Sequence, residues 1–160
     1  MLGVTLIGTG VVLTSPQEAS ARKEVADGGL PPGIAEYVGV VRSKKQWTQI
    51  GKRVSEGKDE IPDEEWKNIQ GFLRKFYDTG KDMEEVAKAF SPDEQKAVAE
   101  VAKAFKKGVK AIDKPAAAKD ADEFMTQHAQ LLAYINDFQD IRAGKKKEVA
   151  GSAAGVPDEL

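Results

Sequence analysis

A lone imidazole is the first place to look for chemistry in this chain. His128 is the single histidine and no cysteine is present, so thiolate nucleophiles, disulfides and sulfur metal sites are excluded. An imidazole can ligate a metal or act as a general base, but His128 stands in a row with Phe124, Leu131, Ile135 and Phe138. Steps of four and three along that row mark a buried helix seam. The placement favours a hydrogen-bonded core histidine over a ligand or base, with a small cofactor held around His128 as the minor alternative. A di-iron carboxylate bundle needs two Glu-x-x-His pairs, which one histidine cannot supply. No phosphate loop, nucleophile elbow or His-Glu-x-x-His helix occurs, and Gly8-Thr9-Gly10 lacks the third glycine of a dinucleotide fingerprint. The pairs Glu64/Glu65 and Glu84/Glu85 read as solvated helix faces rather than as an acid/base pair. The expectation is a chain without catalytic residues, cofactor or metal ligands, and so not an enzyme.

Clusters of basic side chains are the remaining chemistry: Arg42-Ser43-Lys44-Lys45, Lys52-Arg53, Lys103/Lys106/Lys107/Lys110 and Lys145-Lys146-Lys147. Lys103, Lys106, Lys107 and Lys110 recur at helical spacing and share one face. Such a face is either merely solvated or steers docking to an acidic surface. A nucleic-acid partner is not expected, because 24 Lys and Arg are balanced by 26 Asp and Glu, leaving no basic excess for phosphates.

The elements that must carry these groups are helical. A chain of 160 residues is of single-domain length. Residues 1–17 are uncharged, Leu2–Leu13 is a short apolar run, and Ala19-Ser20-Ala21 precedes the first dense charges. That order predicts an export signal over 1–21 with cleavage after Ala21, since the run falls short of the ~20 residues that span a bilayer. Residues 22–33 end in a Gly/Pro cluster and are expected as an extended arm. Ile34, Val38, Val41, Ile50 and Val54, with Tyr37 and Trp47 nearby, predict a first helix to Gly57 with that row as its core stripe. A second helix opens at Asp63-Glu64-Glu65 and carries Trp66, Ile69, Phe72/Leu73, Phe76/Tyr77, Met83, Val86 and Phe90, with Gly80 marking a bend or a close approach. Ser91-Pro92-Asp93-Glu94 forms a capping box for a third helix bearing Val98, Val101, Phe105, Val109 and Ile112, with Pro115 just past its end. The fourth helix starts near Asp120, which pairs with Glu123 as a cap, and fades by Gly144; residues 144–160 have no periodicity and are expected as a flexible tail. The fold expected over 34–143 is all-α, an antiparallel up-down four-helix bundle behind an extended N-terminal arm.

Trp66, Leu73-Arg74, Tyr77-Asp78, Asp93-Glu94-Gln95-Lys96, Ile112-Asp113, Ala116-Ala117, Lys119-Asp120 and Tyr134-Ile135-Asn136 together resemble the PsbQ family, extrinsic subunits on the lumenal face of photosystem II. The resemblance spans roughly residues 34–142 and is closest to the algal PsbQ-like, or PsbQ-prime, type; the arm is shorter than in plant members and a basic Ala/Gly-rich tail is added. It implies a non-catalytic protein of the chloroplast thylakoid lumen, peripheral to the membrane and monomeric outside the complex. Such a protein docks beside other extrinsic subunits, stabilises the oxygen-evolving centre and helps retain calcium and chloride without ligating metal. Pro31, Pro32, Tyr37, Arg42, Lys44, Lys45, Trp47, Lys106, Lys107 and Lys110 are then the expected docking positions. An exported helical binding or chaperone-like protein unrelated to photosynthesis is the alternative.

Overall fold

Residues 30–145 are described in the computed structural model. The chain divides into two units, Met1–Pro31 and Pro32–Leu160. The expected signal, the arm before Leu30 and the tail after Lys145 lie outside the described residues. Those of the second unit form five α-helices and one 3-10 turn: α1 (Ile34–Gly57), the turn Lys58–Glu60, α2 (Asp63–Phe76), α3 (Thr79–Ala87), α4 (Pro92–Ala118) and α5 (Ala121–Arg142). No strand occurs among them.

Local chemistry sets most of the boundaries. Ser91 accepts from the Glu94 backbone N–H while the Glu94 carboxylate accepts from the Ser91 backbone N–H at 3.0 Å, and Pro92 occupies the first turn of α4. Asp120 accepts from the Glu123 N–H at 3.0 Å and starts α5. Each such cap satisfies N–H groups that a helix start leaves bare, worth ~1 kcal/mol. Two boundaries differ from expectation. The second helix is broken at Tyr77-Asp78 into α2 and α3, because Asp78 and Gly80 donate to carbonyls only three residues back (3.1 and 3.2 Å). Gly80 permits the close packing that follows: a Cβ there would lie 2.7 Å from Cγ of Lys106. Pro115 stands inside α4, not after it. A proline so near a helix end removes one hydrogen bond to the preceding turn, and its buried ring compensates by packing.

Packing runs between α1 and α3, α1 and α5, α5 and α4, and α4 with both α2 and α3. One core joins them. The seam of α5 is buried as expected, with Phe124, His128, Leu131, Ile135 and Phe138 continued by Ile141. The stripe of α4 is buried too. α1 departs from expectation in its first half: Val54 is buried as expected and Ile50 is half-buried against the core, but Val40, Trp47 and Gly51 take the other core positions while Ile34, Val38 and Val41 are exposed.

Trp47 decides this rotation. It is fully buried, with its indole 4.6 Å from the Phe76 ring of α2 and 4.4 Å from the imidazole of His128 on α5, stacked at 22°. Two hydrogen bonds cross in opposite directions: Trp47 Nε1 donates to the His128 carbonyl at 3.2 Å, and His128 Nε2 lies 2.7 Å from the Trp47 carbonyl. A carbonyl only accepts, so the Nε2 proton is present. Gly51 makes the arrangement possible, because a Cβ there would fall 2.3 Å from Cε1 of His128.

This geometry has a titration consequence. Desolvation lowers the His128 pKa below its ordinary 6.5, outweighing the hydrogen bond to Trp47 that raises it. Between the lowered folded value and 6.5 the unfolded state binds more protons, so stability present above 6.5 is lost as pH falls through that window. Asp82 acts oppositely at more acid pH, its carboxyl raised above 3.8 by desolvation and then by Glu36 and Asp78. Urea unfolding stepped down from about pH 7.5 to about pH 5 will show falling stability, and His128→Gln, whose amide can still donate to Trp47, will flatten that slope; an unchanged slope would refute the assignment. Phe138→Ala, which truncates a fully buried ring, will cost ~3–5 kcal/mol in the same assay at pH 7.5.

Candidate docking surface

An α-helix advances about 100° per residue, so Val38 lies about 180° around α1 from Trp47, with Ile34 and Val41 within about 60° of Val38. Once Trp47 is locked inward, these three must face out. They are 36%, 47% and 42% exposed, and they are the large exposed apolar residues of the second unit among its described residues. Scattered exposed apolar residues are ordinary; these three fall on consecutive turns of one face and form a continuous apolar row. Lys45 and Lys52 continue the same face toward the end of α1, and both are exposed.

The expected docking positions separate into distinct surroundings. Trp47 is removed from the set, since full burial beneath Phe76, Phe124 and His128 leaves it nothing to offer a partner. Arg42 and Lys45 are exposed, whereas Lys44 is half-buried and donates to Gln139 Oε1 of α5 at 2.6 Å. Tyr37 lies under the Arg142 guanidinium, 3.7 Å from the ring centroid, a cation–π contact that ties the start of α1 to the end of α5. Pro31 and Pro32 are exposed.

On α4 the lysines divide. Lys106 is internally engaged: its stem packs on Gly80 and its ammonium meets Glu84 at 2.8 Å. Lys107 and Lys110 are exposed, and the Lys110 ammonium sits 5.3 Å from the Tyr77 ring centroid. The acidic pairs are ordinary surface partners, Glu65 holding Arg53 through both oxygens (2.7 and 2.8 Å) and Glu85 holding Lys88 at 2.7 Å. Among the described residues no group of three or more His, Asp or Glu side chains could hold a metal ion. No helix there is long and apolar enough to cross a membrane.

Comparison with protein-family models, curated proteins and solved structures finds no match for this chain. The site therefore rests on its own geometry.

Sequence reasoning placed Ile34, Val38 and Val41 in the core and so missed the patch. A signal was available. Stepping outward from Trp47, the largest side chain of the segment, by helical intervals reaches Val40, Gly51 and Val54 and leaves the other row on the opposite side.

Proposed function

We propose that the chain is a non-catalytic extrinsic subunit of the PsbQ-like kind. It folds as an antiparallel up-down four-helix bundle and docks on the lumenal side of photosystem II in the chloroplast thylakoid lumen. There it covers lumenal loops, stabilises the oxygen-evolving centre and helps retain calcium and chloride. Support comes from the resemblance carried by Trp66, Leu73-Arg74, Tyr77-Asp78 and Tyr134-Ile135-Asn136. The single observation that carries docking is the outward row Ile34, Val38 and Val41 on α1.

In this reading the apolar row forms the desolvated centre of the contact, and Arg42, Lys45 and Lys52 form a charged margin. Apolar contact supplies affinity, while the margin sets the approach and its salt dependence. Burying a valine-sized side chain contributes ~1.5 kcal/mol or more, so two aspartates in its place weaken association by roughly a hundredfold.

Val38→Asp combined with Val41→Asp will therefore fail to rebind to salt-washed photosystem II membranes at concentrations that saturate the unmodified protein. Its far-UV circular dichroism will be unchanged, because both positions are exposed. Normal rebinding of this variant would exclude the α1 face. Failure of the unmodified protein to rebind at all would exclude photosystem II as the partner and leave the exported helical binding protein as the reading.

A further inference from the structure

A second surface lies along α4 and does not depend on the reading of α1. Where α2 breaks from α3, Tyr77 is half-buried between two adjoining grooves. One, of about 590 Å³, is lined by Gln70, Leu73, Arg74, Val109, Lys110 and Asp113. The other, of about 460 Å³, is walled by Glu84, Glu100, Lys103, Lys106, Lys107 and Lys110. Tyr77 and Lys110 belong to both. The ring has the Lys81 ammonium 5.9 Å and the Lys110 ammonium 5.3 Å from its centroid, so it holds Lys110 in place beside the groove.

The cations differ in how they are used. Lys81 is paired with Asp78 and Lys106 with Glu84. Arg74, Lys103, Lys107 and Lys110 have no ion-pair partner among the described residues. Lys103, Lys107 and Lys110 form a row about 10 Å long at 1.5 Å per residue, which an extended chain covers with about three residues. Glu100 precedes the row on α4 and Asp113 follows it, and both line the grooves.

We infer that this groove binds an extended segment of a partner protein carrying a short run of about three acidic residues, the first and third of which face the lysines because side chains alternate along an extended chain. The cations lie in a line rather than converging on a point, which suits carboxylates spaced along a chain better than a single phosphate. The bracketing Glu100 and Asp113 repel a uniformly anionic plane such as a lipid surface and limit the length of the acidic run. Tyr77 acts as a positioning residue, through its hold on Lys110. Since α1 packs on α3 and α5 while α4 packs on α2, α3 and α5, the apolar row and the cationic groove belong to separate faces, and the protein is able to engage two partners at once.

The test is fluorescence anisotropy of the full chain with a fluorescein-labelled peptide containing three consecutive glutamates between neutral residues, at low ionic strength. Saturable binding is expected, weakened roughly tenfold or more by Lys107→Glu with Lys110→Glu, and unaffected by Lys45→Glu with Lys52→Glu on α1. Tyr77→Ala is expected to weaken binding while Tyr77→Phe, which keeps the ring, restores it; circular dichroism verifies folding of each variant. The inference is overturned by absence of saturable binding, by equal loss in the α1 control, or by displacement of the peptide with inorganic phosphate or phosphatidylglycerol vesicles at matched charge.

Discussion

The reciprocal clasp between Trp47 and His128 is the constraint from which the surface of this protein follows. Each side chain bonds the other's backbone carbonyl while the rings stack, and Gly51 supplies the space. Neutral hydrogen bonds of this kind stabilise a fold by ~1 kcal/mol each, and a stacked aromatic pair adds a similar amount beyond burial. The larger effect is on specificity. An indole fixed by direction as well as by burial permits one rotation of α1, and that rotation turns a second apolar row to solvent.

Charged groups follow a comparable logic of commitment. Lys44, Lys106 and Arg142 look like free surface cations in sequence, yet each is tied to a neighbouring helix through Gln139, Glu84 or Tyr37. Such partly exposed contacts add little stability individually, but they fix where these cations sit, and Glu84 offsets the charge of Lys106. Within the basic clusters of the sequence, Arg42 and Lys45 on α1 and Lys103, Lys107 and Lys110 on α4 are exposed with no ion-pair partner among the described residues, whereas Lys52 meets Glu56 at 3.8 Å.

Legibility in the sequence tracked how many apolar faces a helix carries. α4 and α5 each carry one continuous stripe, and the large residues read from it are all buried and both caps form, while the small or terminal members Ala97, Ala102, Ala116 and Ile141 were not anticipated. α1 carries two apolar rows, and periodicity measures spacing without saying which row meets the core. Gly80 signalled the close approach, which Lys106 makes, but not that the helix ends at Phe76, and the inclusion of Pro115 in α4 was hidden because it depends on tertiary packing of a buried proline ring. The grooves beside Tyr77 bring together residues of α2, α3 and α4 and had no sequence signature beyond the lysine spacing.

The rotation of α1 and its proposed use in docking can be read in one measurement, because the chain has no cysteine of its own. Single cysteines placed at Val38 and at Val40 would be labelled with a maleimide, first on the free protein and then after rebinding to salt-washed photosystem II membranes. The account predicts rapid labelling at 38 and slow labelling at 40 in the free protein, with position 38 becoming protected in the complex. Slow labelling at 38 in the free protein would contradict the rotation set by Trp47 and His128, and rapid labelling that persists in the bound protein would contradict docking through this face.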